Sequence, residues 1–319
     1  MSWRGAMLRA GIDSDGVDVT IPEGKIHARN LPSRYGNVWH VNSAKTNSGN
    51  GKTWNKAFKT ITEGYAAASA GDTILITGSF TAEAAINCAK AGVRFVGAGS
   101  TSNMALWTSA ADAKSLTISA ADVLVENIRF RPPAYSAGVP AAIYLTTGAN
   151  QFTLRGCRFQ GKAASWYAVL TDGSGANVRI EGNEFFYMNT ATYGTAIMGT
   201  GYAASEPSGW MVVNNLFHSN INHIVCRMRQ SFIIGNYFGA GGLAADASNS
   251  ATLTVLGVDI HGAVAGNNVV TQNFMGSLYH QACYYGGTDD SWAGNFCTDR
   301  SHATQVDATT GISILAPAA

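Results

Sequence analysis

Leu-Arg-Gly-Cys-Arg-Phe159, Ile-Glu-Gly-Asn-Glu-Phe185, Val-Asn-Asn-Leu-Phe217 and Ile-Gly-Asn-Tyr-Phe238 are copies of one phrase: an apolar strand, a small residue or Asn, and an apolar residue two places on. Val-Glu-Asn-Ile-Arg-Phe130 precedes them, and Thr-Gln-Asn-Phe-Met275 and Ala-Gly-Asn-Phe-Cys297 follow. The closing apolar residues stand 29, 26, 32, 21, 37 and 22 apart, a mean near 28. That is about one coil of a β-solenoid, and it is too variable for helical repeats of fixed length. A local device that persists while the intervening loops change places function on those loops.

Asn183, Asn215, Asn236, Asn273 and Asn295 share one register of the phrase, and Asn127 falls one place earlier. A sharp bend between strands needs a residue that tolerates the left-handed conformation, which Asn does well after Gly. Stacked at one strand spacing, their side-chain amides can also bond to each other along the axis. These six asparagines are therefore assigned to structure. Around them, short segments such as Ala142–Leu145 with Phe152–Leu154, and Ala168–Leu170 with Val178–Ile180, read as paired strand phrases separated by polar turns. Such strands, without clear two-residue hairpins, are the signature of a solenoid rather than a sandwich.

The repeat organises the chain. Of the 319 residues, 1–37 read as an extension or anchoring arm, 38–299 as a capping segment plus solenoid, and 300–319 as a C-terminal tail. Trp54, Phe58, Ile61 and Tyr65 recur at helical spacing, with Thr53 as N-cap and Gly71 as terminator. One amphipathic helix is expected there, covering the apolar end of the first coil.

Composition narrows the function. Only 13% of residues are charged, roughly half the usual share, while 36 glycines suit tight turns. A net charge of +1 gives no electrostatic reason for a nucleic-acid partner. No apolar run is long enough for a transmembrane span, and Arg4 and Arg9 interrupt any secretory apolar region. The expectation is a chain made in the cytosol that stays there or leaves by assembly or lysis. Its five cysteines are scattered without a Cys-x-x-Cys pair. Cys157 and Cys297, inside the repeat, read as buried thiols, and the histidines show no metal-ligand spacing. No cofactor or metal is expected.

Val38-Trp-His-Val-Asn-Ser43, Trp54-Asn-Lys-Ala-Phe-Lys-Thr-Ile61 and Gly71-Asp-Thr-Ile-Leu-Ile-Thr77 resemble the opening of right-handed parallel β-helix proteins of the pectate-lyase-like superfamily. The resemblance, with the coil phrases, covers about residues 38–299. It implies an all-β right-handed parallel β-helix with an N-terminal capping helix. The superfamily holds polysaccharide lyases and hydrolases, phage tailspikes and non-catalytic virion proteins, so the fold does not choose among them.

In the superfamily's enzymes the reacting groups project from the strand before the polar turn in successive coils. Here those strands, Ala142–Leu145, Tyr167–Leu170, Thr195–Met198, His223–Cys226 and Gln281–Tyr284, carry no Asp or Glu. Cleavage needs a carboxylate pair, or clustered carboxylates holding calcium beside a base. The best catalytic set the sequence offers is Asp172, Arg227, Asp259 and His261, with Asp259 and His261 two apart on one strand face. Tyr202 and Trp210 are the candidates for stacking on a glycan, and Glu126, Glu181 and Glu184 read as solvated outward charges. The expected function is a non-enzymatic bacteriophage virion surface protein, a head decoration or tail-associated homotrimer. Its expected partners are other virion proteins, gripped through residues 1–37 or the tail, and a host surface glycan. A tailspike-like depolymerase and a glycan-binding adhesin are the alternatives.

Overall fold

Three parallel sheets, each strand bonded to its counterpart one coil away, wind the chain into a right-handed parallel β-helix in the computed structural model. The structure describes residues 18–21, 24–27, 36–99, 103–109, 114–132, 141–161, 167–173, 175–188, 194–199, 206–239, 258–260, 266–275, 284–285 and 289–297. Sheet I has ten strands, from Val38–Asn42 to Ser291–Ala293; sheet II has nine, from Ser79–Glu83 to Phe296–Cys297; sheet III has eight, from Ile86–Cys88 to Tyr284–Tyr285. Ahead of them, Asp18–Ile21 pairs antiparallel with Gly24–His27.

The recurring phrase is a corner. In the copy ending at Phe185, Arg179–Glu181 belongs to sheet I and Glu184–Phe186 to sheet II, with Gly182 and Asn183 turning the chain between them. The left-handed residue is not the laddered asparagine, as the sequence suggests, but the residue before it. Asn127, Gly156, Gly182, Asn214, Gly235, Gln272 and Gly294 all have φ between 54° and 67°. Asn127 thus holds the left-handed place itself, and the next column reads Ile128, Cys157, Asn183, Asn215, Asn236, Asn273, Asn295.

From Asn183 onward that column is a buried amide ladder. Each Oδ1 accepts from the backbone N–H and the Nδ2 of the asparagine one coil earlier, at 2.9–3.1 Å, as in Asn183 to Asn215 and Asn215 to Asn236. Each Nδ2 also reaches a strand carbonyl, Leu154 for Asn183 and Ile180 for Asn215. Cys157, where the ladder ends, gives its N–H to Asn183. Its thiol is fully buried, and desolvation pushes its pKa up to about 12, an inert state.

Two residues beyond the ladder, alternation turns the phrase's closing side chain inward. Trp107, Phe130, Phe159, Phe185, Phe217 and Phe238 form one stack with ring centroids 4.8–5.5 Å apart, matching the strand spacing. A second left-handed column, Gly71, Gly92, Asp122, Gln151, Asn177, Gly209, Gln230, Asn267 and Asp289, turns the chain into sheet I. The side chains after it are apolar through the middle coils, Val93 to Trp210. They become polar at the end, where Ser231, Asn268 and Asp290 carry a second ladder.

The expected long helix is two shorter pieces. Trp54–Lys56 is a 3-10 turn capped by Thr53, and α1 spans Ile61–Ala67, begun by a Thr60–Glu63 capping box. Phe58 breaks the run because its backbone pairs with His40 and Asn42, bridging the strand around Val41. Ile61 is buried with Val41 and Ile74, so α1 still covers the first coils. Glu83 accepts from the Ile61 and Thr62 N–H groups at its start, and Lys90 donates to the Tyr65 and Ala68 carbonyls at its end.

His223 is the one fully buried histidine among the described residues. Its Nε2–H donates to the Gly239 carbonyl at 2.9 Å, and Nδ1 accepts from Asn220 at 3.3 Å, an arrangement made for the neutral ring. Desolvation is the main cause that holds its pKa down to about 4. Because the folded value lies below the unfolded one, the stabilisation is complete above about pH 6.5 and drains away as pH falls toward 4. The loss is about 3 kcal/mol. Denaturant titrations between pH 7 and 4 are expected to show this slope in the native protein and not in His223→Gln; equal slopes would refute the assignment.

Candidate functional site

Sheet III is the sheet whose strands precede the polar turns, so its outer face is where chemistry is sought first. Strand register sets one column across it: Asn87, Thr117, Tyr144, Leu170, Met198, Val225, Asp259, Tyr285. Beside it run Ala141, Tyr167, Thr195 and Asn222. Ala141, Tyr167 and Leu170 are buried with Tyr144 and Met198 in an apolar cluster separate from the interior core. Hydrophobic covering, not a hydrated groove, therefore occupies the middle of this face.

Polar groups stand at its margin. Lys114 Nζ lies 3.7 Å from the centre of the Tyr144 ring. Burial raises the Tyr144 phenol above its ordinary pKa, and the nearby charge of Asp172 adds to the rise. Asp172 follows Tyr167–Thr171, whereas Asp259 ends a strand three coils further along. Three strand spacings are about 14 Å. Acid and base or nucleophile in glycoside cleavage stand about 5–9.5 Å apart. The two aspartates are thus not brought together. Arg227 does lie on the coil next to Asp259, two residues past Val225, which pairs with it. His261 and Tyr202 fall outside the described residues. Among the described residues no group of His, Cys, Asp and Glu is arranged to hold a metal ion.

Trp210 departs from the glycan-stacking expectation. It is fully buried, and its indole N–H donates to the Gly175 carbonyl at 2.7 Å. It follows left-handed Gly209 in the column that turns into sheet I, so its ring faces the core beside Val178 and Phe152. No sugar can stack on it.

The outward glutamates are more organised than solvated charges. Glu126 pairs with Arg155 at 2.8 Å across sheet I, and Glu181 pairs with Arg179 at 2.8 Å. On sheet II, Glu184 bridges Arg158 at 2.6 Å and His218 at 3.2 Å. The Arg158 guanidinium sits 4.8 Å from the Phe186 ring, which stacks on His218 at 5.2 Å with a 10° tilt. Tyr187 meets both rings edge-on and is 49% exposed. Sequence reading missed this cluster, because its members become neighbours only once coils of 26 and 32 residues are laid in register.

Comparison with known proteins adds fold and nothing finer. No family model matches the chain, and no curated protein matches it. Among solved structures, a rhamnogalacturonan lyase superposes with a TM-score of 0.54 at 14% identity, over 82% of this chain and 73% of that one. The pectate lyase Pel9A gives 0.55 at 12%, over 82% and 67%. The GH136 lacto-N-biosidase from Eubacterium ramulus gives 0.56 at 9%, over 84% of this chain but 57% of its own length. Each match covers more than 80% of this chain, and the chain has a right-handed parallel β-helix fold like theirs.

Proposed function

We propose that this chain is a non-enzymatic surface protein of a bacteriophage particle, a head-decoration or tail-associated β-helix assembled as a homotrimer. The observation that carries the non-enzymatic reading is the column across sheet III: Thr117, Tyr144, Leu170, Met198 and Val225 occupy successive places, and Asp259 beyond them is a single carboxylate where cleavage would need a pair. A scaffold held by buried amide ladders and an aromatic stack suits a durable surface. Assembly is supported by the later coils. There Met211 and Phe232 stand exposed on sheet I, and Leu216 and Tyr237 on sheet II, flanking one corner. Two different apolar faces meeting at a corner suit a heterologous contact, which closes into a trimeric ring when its rotation is a third of a turn.

Incubation with a broad panel of acidic and neutral polysaccharides is expected to leave chain length unchanged, with no new reducing ends and no unsaturated product. Release of product that disappears in Asp259→Ala would replace this reading with a depolymerase. Mass photometry should give about 100 kDa, three copies of the 33.4 kDa chain, and a stable monomer would refute the trimer. Antibody labelling of the native particle tests the surface location directly.

A further inference from the structure

Sheet II carries a basic strip whose Arg129 and Arg131 no role above absorbs. Arg129 and Arg158 are direct partners on adjacent strands, and Arg131 lies two residues along from Arg129 on the same face. Like charges placed directly opposite in a sheet are destabilising. Glu184 is the one carboxylate in the two outward columns of this face among the described residues, and it is already committed to Arg158 and His218. Arg129 is left with a buried Nε that has no hydrogen-bond partner. Burial, then the charges of Arg131 and Arg158, draw its pKa below the ordinary value. A fold that tolerates this strip gains from an anion laid across it.

The same face continues into hydrogen-bonding and aromatic groups. Toward the later coils Gln160 pairs with Phe186, and Phe186 with His218. Tyr187 follows with φ 59°, a left-handed conformation rare for a bulky aromatic residue, and its half-exposed ring stands at the edge of the Phe186–His218 pair. From the arginine coil to the Tyr187 coil is two strand spacings, about 10 Å. That is the reach of a disaccharide.

We infer that the outer face of sheet II binds an acidic saccharide along the helix axis, its oxyanion held by Arg129 and Arg131, its hydroxyls by Gln160, and a sugar ring packed on Tyr187. Guanidinium forks match carboxylate and sulfate oxygens alike, and an aromatic ring beside polar groups suits the mixed faces of a pyranose better than a peptide. This site is on a different sheet from the face weighed for catalysis. It deepens the surface-protein reading by naming a sugar chemistry, and it rests on that reading only in being a site without turnover.

Calorimetric titration of the full chain with a uronic-acid tetrasaccharide, a sulfated tetrasaccharide, a neutral tetrasaccharide and a poly-glutamate peptide tests it. At least one acidic sugar is expected to bind, and which of the two does so identifies the oxyanion. The neutral sugar should bind at least tenfold more weakly, and so should the peptide. Arg129→Gln with Arg131→Gln should lower acidic-sugar affinity at least tenfold without lowering the melting temperature, since it relieves the like-charge pair. Tyr187→Ala should weaken sugar binding while leaving inorganic sulfate binding intact. Equal affinity for neutral sugar, equal affinity for the peptide, or indifference to the double substitution would each overturn the assignment. Product analysis of the same mixtures reports separately on turnover, so binding with cleavage would sink the non-enzymatic reading and leave the site standing.

Discussion

Replacing Asn215 by alanine is expected to cost about 4 kcal/mol of folding stability, far more than its modest size suggests. Its side chain is buried at 2% exposure and takes part in bonds on both sides. Oδ1 accepts from the Asn183 N–H and Nδ2, while its own Nδ2 donates to the Ile180 carbonyl and to Asn236 Oδ1. The substitution strips the acceptor from the Asn183 N–H and the side-chain donor from Ile180, and each such buried loss costs about 1–3 kcal/mol. Asn215→Asp separates the two halves of the bond set. A carboxylate can still accept from Asn183, but it cannot donate to Ile180 and it brings a buried charge. Guanidinium denaturation should rank the proteins native, then both variants far below. A loss under about 1 kcal/mol for alanine would mean the ladder follows the fold without holding it.

The second large effect is expected at Phe185. The ring is fully buried between Phe159 at 4.9 Å and Phe217 at 4.8 Å, nearly parallel to both. Truncation to alanine opens a cavity in the middle of the stack and should cost about 3–5 kcal/mol. Phe185→Leu retains much of the volume and should cost less. Phe185→Ala combined with Phe217→Ala should fall short of the sum, because the two cavities merge and share relaxation. Full additivity would show that neighbouring rings are energetically independent, against the packing seen here.

These two sites also show why so much of the fold could be read from the chain. The phrase places a left-handed residue, a laddered Asn and an inward Phe at fixed offsets, and each position demands a residue type that physics restricts. Reading failed where that restriction loosens. Asn127 looked like a ladder member displaced by one place, yet it holds the left-handed position at φ 54°, which several residue types share along the column. Phe58 kept a helical spacing with Ile61 while its backbone was drawn into pairing with His40. Trp210 looked like a loop aromatic because the left-handed column ahead of it mixes Gly, Asn, Gln and Asp and leaves no obvious motif.

The candidate sites were harder to read for a different reason. That Asp259 is the one carboxylate on the strands of sheet III among the described residues is visible one strand at a time. The arginine strip is not, because Arg129 and Arg158 are 29 residues apart and meet only through coil register. Surface chemistry in a solenoid is written across coils, perpendicular to the order in which the chain is read.

The corner columns carry a consequence for how such a molecule can change. From Asn127 on, each described corner between sheets I and II presents the same left-handed bend and, from Asn183 on, the same amide to the coil before and after it. The coils are therefore interchangeable modules with matching couplings at both ends. Excising one whole repeat between equivalent asparagines would rejoin the couplings, whereas removing a few residues within a corner would break two at once. Length in this protein is a quantity that evolution, or a protein engineer, can adjust in steps of one rung.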